Sequence, residues 1–202
     1  MKRAIVLALM ALVLPTAVRA SGIDIGFGFG SVSISTGGIV SRGVQLQQYG
    51  GIVAPHGHSL GSVMFSTGPC LSGCRTLFQG DRATFAGGIF ELIGKGKFGQ
   101  PKGVILNASF TGPVFWIPVE STGQTIIFQL AGRFAGTDFT GRFVRGGVVE
   151  FVGVTKSQLA MGIGHVLGGH GHFVLPEPAT STLIGIGLIG IALTIRRKSL
   201  IA

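Results

Sequence analysis

The sequence predicts an all-β domain, an antiparallel β-sandwich or jelly-roll-like body flanked by two apolar ends. Three observations predict it. Short runs between Ser21 and Leu175 alternate apolar with polar or small residues, the pattern of a strand with one buried face. The breaks between runs are rich in Gly, Pro, Ser and Thr, as at Thr36-Gly37-Gly38, Pro55-His56-Gly57, Gly99-Gln100-Pro101 and Ser121-Thr122-Gly123. No amphipathic helical pattern of useful length occurs in the body, so helix is expected only in the two apolar ends. Short, regularly spaced strands of this kind build sandwiches or barrels.

The chain opens on a basic start, Met1-Lys2-Arg3, followed by an almost unbroken apolar stretch from Ala4 to Val18. Val18-Arg19-Ala20 then offers residues acceptable to signal peptidase, with cleavage expected after Ala20. Residues 1–20 are therefore read as a signal peptide. An uncleaved N-terminal anchor is the alternative.

Residues 21–175 are read as one Gly-rich domain, within the usual single-domain size range. Strands are expected near 23–35, 39–48, 59–66, 82–93, 103–111, 113–119, 124–134, 138–145 and 147–155. Ile126, Phe128 and Leu130 face one way, while Thr125, Ile127 and Gln129 face the other. Val104, Leu106, Ala108 and Phe110 oppose Ile105, Asn107 and Ser109 in the same manner. Phe139 and Phe143 are read as one face of a strand, opposing Thr140, Arg142 and Val144. Ile23, Ile25, Phe27 and Phe29 alternate, then Val32 and Ile34 resume out of phase, a slip at Gly30-Ser31 that a β-bulge would produce.

The only cysteines, Cys70 and Cys74, are expected to oxidise to each other outside the cytoplasm. Their spacing is not the two-residue gap of redox or zinc motifs. The formal charge of +9 overstates the basicity of the body, because Lys2, Arg3 and Arg19 lie in the leader and three more positives in the tail. Ten scattered Lys/Arg against six Asp/Glu remain in the body, so a nucleic-acid partner is not expected. Weak attraction to acidic polysaccharide is retained as an expectation.

Three patterns invite a chemical reading. Gly94-Lys95-Gly96-Lys97-Phe98-Gly99 has the letters of a dinucleotide fingerprint, but Gln100-Pro101 follows where a helix must open, so a hairpin turn is expected. Two His-Gly-His triplets, His56/His58 and His170/His172, put two imidazoles on one face of an extended strand, with His165 nearby. No acidic residue stands close by in sequence to complete or orient such a site, and the second triplet is read as flexible spacer; no metal and no cofactor are expected. The acidic residues are isolated in sequence, with no paired acid and base, so no catalytic residues are assigned. Sugar-stacking aromatics are scarce, with one Trp and one Tyr against fifteen Phe, and Trp116 is expected to be buried.

The tail carries the strongest signal. Pro176-Glu177-Pro178 breaks helix and favours extended backbone. Ala179 to Ile195 is uncharged and apolar, and at about 1.5 Å rise per residue a helix there approaches the lower limit for crossing a bilayer. Arg196-Arg197-Lys198 then stops transfer on the cytoplasmic side, leaving 199–202 as a short end. This order of parts over residues 176–198 resembles a PEP-CTERM sorting signal. The resemblance implies that Pro176, Glu177 and Pro178, with the basic cluster, are recognised by an exosortase, a membrane-embedded cysteine peptidase. It also implies cutting near Pro-Glu-Pro and delivery of the mature chain to the surface. A plain tail anchor is the alternative.

Together these features predict an exported, non-catalytic component of the cell surface or extracellular matrix. Its partners would be signal peptidase, an exosortase-like peptidase, the bacterial membrane and an exopolysaccharide. A polysaccharide-binding module using Trp116, Tyr49 and the basic residues is the alternative, and a hydrolase with a site hidden in the sequence is the third.

Overall fold

Each major strand pairs with the next along the chain, and the last returns to the first. The computed structural model describes residues 22–175. β1 (Gly22–Gly28) and β2 (Ser31–Ser35) form one long path, as do β3 (Gly38–Arg42) and β4 (Val44–Tyr49). β6 (Gly61–Ser66) and β9 (Ile89–Lys95) follow, then β10 (Lys102–Phe110), which resumes after Thr111-Gly112-Pro113 as β11 (Val114–Thr122). β12 (Thr125–Asp138), β13 (Phe143–Thr155) and β14 (Ile163–Val174) complete the set. β14 lies antiparallel to β1, with Gly22 opposite Val174, and to β2, with Ile163 opposite Ser33. The cycle β1, β4, β6, β9, β10, β12, β13, β14 is thus a closed eight-stranded antiparallel barrel. The short β5 (Ile52–Val53) borders β4, while β7 (Cys70–Ser72) and β8 (Ala83–Phe85) extend the sheet beside β11.

All-β is therefore the observed class, but the sandwich or jelly roll gives way to an up-and-down barrel. The correction has a simple cause. Alternation reports that one face is buried, and both architectures bury one face; pairing partners are not written in the period. The strands expected at 138–145 and 147–155 are one strand, β13, preceded by a turn at 139–142; Phe139 and Phe143 are both exposed, and Val144, set opposite them, is the fully buried residue. A bulge between Val104 and Leu106 turns Ile105 and Leu106 both inward and leaves Val104 outside. The slip expected at Gly30-Ser31 is an interruption at Phe29 (φ 54°) and Gly30 (φ 138°), where a Cβ on Gly30 would strike the backbone of Val44. The segment read as spacer before the tail is the twelve-residue β14.

Helix also occurs where none was expected. α1 (Lys156–Ala160) links β13 to β14 and buries Leu159, and Leu77–Gln79 forms a single 3-10 turn. Thr155 Oγ1 accepts from the Gln158 amide at 3.2 Å, and Thr155 N donates to Gln158 Oε1 at 2.9 Å, a complete capping box.

The lumen is packed with apolar side chains. Phe90 stacks on Phe134 with ring centroids 4.8 Å apart, and Trp116 on Phe128 at 4.4 Å. Inward glycines make room for these large neighbours. The ring of Phe27 occupies the space a Cβ on Gly169 would need, and Ile25 does the same at Gly171. An apolar lumen is the reverse of a membrane-spanning barrel, which faces its apolar band outward. Among the described residues no helix is long and apolar enough to cross a membrane. The signal peptide (1–20), Ala20, Pro176, Glu177, Pro178, the expected membrane helix (179–195) and Arg196, Arg197 and Lys198 lie outside the described residues.

The barrel has two distinct rims. One holds Gly22, Val174 and the connections 50–60, 96–101 and 139–142, tied together by Lys95 N donating to Leu60 O at 2.9 Å and Phe139 N to Ile105 O at 2.9 Å. The other holds the turns 36–37 and 123–124, the excursion 67–88 and α1.

Candidate functional site

Chain direction fixes what the first rim presents. Both termini of the barrel leave from it, because Val174 pairs with Gly22 on one side and with Arg145 on the other. Beside this exit, His172 Nδ1 lies 2.8 Å from Asp24 Oδ1 across the β14–β1 pair, both exposed. The second His-Gly-His triplet thus belongs to a strand. His170 and His172 both project outward, as period two requires, and a carboxylate does stand next to one of them. The first triplet sits in the 50–60 connection, with His58 edge-on to Phe98 at 6.4 Å. Among the described residues no group of three or more His, Cys, Asp or Glu is placed to hold a metal ion.

On the same rim Asp138 closes the β12–β13 turn. Its Oδ1 accepts from Thr140 N, Thr140 Oγ1 and Arg142 N, and its Oδ2 from Arg142 Nε and Nη2 at 3.1 and 2.9 Å. Burial alone would push the carboxyl up, but the hydrogen bonds from Thr140 and Arg142 outweigh it and hold Asp138 below its ordinary value. Tyr49 is pushed up by burial and by the nearby Asp138 charge.

Within the lumen stands a group that sequence reading passed over. Glu150 is fully buried, and neither carboxyl oxygen has a hydrogen-bond partner. It shares a cross-strand row with Leu130 and Trp116, whose indole Nε1 is also unpartnered. Burial raises the Glu150 carboxyl to about 8, so it is largely a neutral acid at pH 7. The signal was present: Glu150 falls in phase with Val148, Val152 and Val154 on the inward face of one strand.

Trp116 and Tyr49, the two aromatics assigned to sugar binding in the alternative reading, are buried at 0% and 7% exposure. That removes them as stacking platforms. The outer wall instead carries a groove of about 510 Å³ over β11 to β13, floored by Ala131 and Gly147 and edged by Phe115, Arg133 and Val149. Cys70 and Cys74 are joined in a disulfide on the far rim. Gly94–Gly99 ends β9 and turns the chain into β10, with Lys95 opposite Lys102.

The residues after this exit decide the matter. A family model described as "PEP-CTERM protein-sorting motif" matches residues 174–198, beginning on the last residue of β14. The chain carries a PEP-CTERM sorting motif. The motif points to an exported protein processed by exosortase, a membrane enzyme. It covers the tail alone, and the barrel is matched by no curated protein and no solved structure.

Proposed function

We propose that this protein is an exported, non-catalytic barrel that exosortase releases to the cell surface or extracellular matrix, where it serves as a structural component. The sorting motif at 174–198 carries the reading, and its position supports it. β14 closes the barrel at Val174, so the recognition residues Pro176, Glu177 and Pro178 begin two residues beyond a finished fold. A cut there would leave every strand of the barrel intact. The packed apolar lumen supports a scaffold more than a catalyst, since its one acid, Glu150, faces no companion acid or base. Under this reading residues 1–20 are removed after Ala20, and residues 179–195, with Arg196, Arg197 and Lys198 as the cytoplasmic stop, hold the precursor in the membrane until exosortase cuts near Pro176-Glu177-Pro178. An exopolysaccharide remains a proposed partner, but through the outer groove at Phe115 and Arg133.

Replacing Pro176-Glu177-Pro178 with three alanines in a host that makes exosortase tests the proposal. The variant is expected to accumulate as membrane-bound precursor while the wild type is processed. Unchanged processing would remove exosortase from the account of this protein.

A further inference from the structure

The two rims differ in one physical respect that the sorting motif makes consequential: only one of them is tied to the tail. Leu175 is the last described residue, and three residues separate it from the apolar run beginning at Ala179. Fully extended, that link spans at most about 13 Å. The barrel wall is much longer. β13 alone has thirteen residues, on the order of 40 Å along the strand and about 30 Å along the axis at usual barrel tilt. While residues 179–195 are held in a bilayer, the rim bearing Gly22 and Val174 is therefore kept within reach of the lipid headgroups, and the far rim is not.

The tethered rim has the side chains for that position. Phe98, Phe139 and Phe143 are 48%, 52% and 45% exposed, one on each of two connections and one at the start of β13. Lys95 and Lys102 face each other across the β9–β10 turn, with Lys97 between them, and all three are exposed. Arg145 lies 5.2 Å from the Phe143 ring centroid. The acids here are engaged: Asp138 is held by Thr140 and Arg142, and Asp24 faces His172. Exposed aromatics among cations on the tethered rim match a surface that rests on anionic headgroups, where rings sit at the boundary and Lys is attracted by the negative surface potential. The far rim also exposes Phe78, Leu71 and Met161, so it is the short tether that selects this rim.

We infer that this rim is a membrane-docking surface: in the precursor, Phe98, Phe139 and Phe143 enter the headgroup layer of an anionic phospholipid bilayer, steered by Lys95, Lys97 and Lys102. This rests on the sorting reading above. Docking stands the barrel upright on the membrane and holds the Pro176–Pro178 link close to the bilayer surface, where a membrane-embedded peptidase works. After cleavage the same surface gives weak, salt-sensitive attachment to anionic membranes.

The test uses the full chain reconstituted in vesicles containing phosphatidylglycerol, with or without brominated acyl chains. Single substitutions Phe98→Trp, Phe139→Trp and, on the far rim, Met161→Trp are compared with the wild type, whose one tryptophan, Trp116, is buried. Brominated lipid is expected to quench the added emission at 98 and 139 at least about twofold more than at 161, and K95Q/K97Q/K102Q to abolish that difference. Equal quenching at all three positions, or none at 98 and 139 in a chain that floats with the vesicles, overturns docking and leaves the sorting reading intact. Emission at 98 that is blue-shifted equally in plain and brominated vesicles marks burial against a second copy and also overturns docking. A chain that fails to float with vesicles at all sinks both.

Discussion

Glu150 shows how much one residue can set. Its carboxyl is buried among apolar side chains without a partner, and burial pushes it up to about 8 from an ordinary value of 4.5. Between those two values the folded protein holds a proton that the unfolded chain has lost. Stability is therefore undiminished below about pH 4.5 and falls as pH rises towards 8. Thermal unfolding followed from pH 5 to pH 8 is expected to show a falling midpoint in the wild type. Glu150→Leu should flatten that slope and raise stability at pH 8 by on the order of 3 kcal/mol. A parallel pH slope in the variant would show that Glu150 is solvated or paired. Asp138 has the opposite sign: its lowered value gives stability that is present at neutral pH and lost as pH falls below the carboxylate range.

At the level of the elements, the residues that sequence reading interpreted correctly are those whose strands carry large apolar side chains in phase. Ile126, Phe128 and Leu130 are an example, with Phe128 and Leu130 wholly buried. β14 escaped because the inward face of its second half reads Gly169, Gly171, Phe173; glycine carries no hydrophobic signal. The missing bulk sits on β1, where Phe27 and Ile25 fill the glycine spaces, so the pattern is complete only across two strands. Gly169→Val is expected to cost about 1–3 kcal/mol by driving into Phe27, measured by chemical denaturation. Equal stability would mean that the ring has room to move. α1 was missed for a different reason. It is too short for a periodic pattern, yet its Thr155-Lys156-Ser157-Gln158 start is a capping-box signature that stands in the sequence. Thr155→Ala should lower stability by about 1 kcal/mol, with faster amide exchange confined to 156–162. Unaltered exchange there would mean that the cap adds nothing.

For the whole molecule, the sequence located the destination signal and the structure located what precedes it. The tail was recognisable because its parts are a contiguous string: a Pro-Glu-Pro break, an apolar run and a basic stop. Barrel closure was not, because it depends on Gly22 meeting Val174 from opposite ends of the domain, a long-range pairing that no local period encodes. The Trp116 and Tyr49 sugar-binding alternative failed for a related reason. Trp116 is buried as its strand position predicts, but composition does not reveal that the barrel turns Tyr49 inward as well.

Export and processing of a finished barrel can be tested by one measurement, the intact mass of the surface or released form recovered from an exosortase-containing host. The expected species starts at Ser21, ends near Pro176-Glu177-Pro178 and retains the oxidised Cys70–Cys74 pair. A recovered chain that still carries residues 1–20 and 179–202, or one found only in the cytosol, would contradict it.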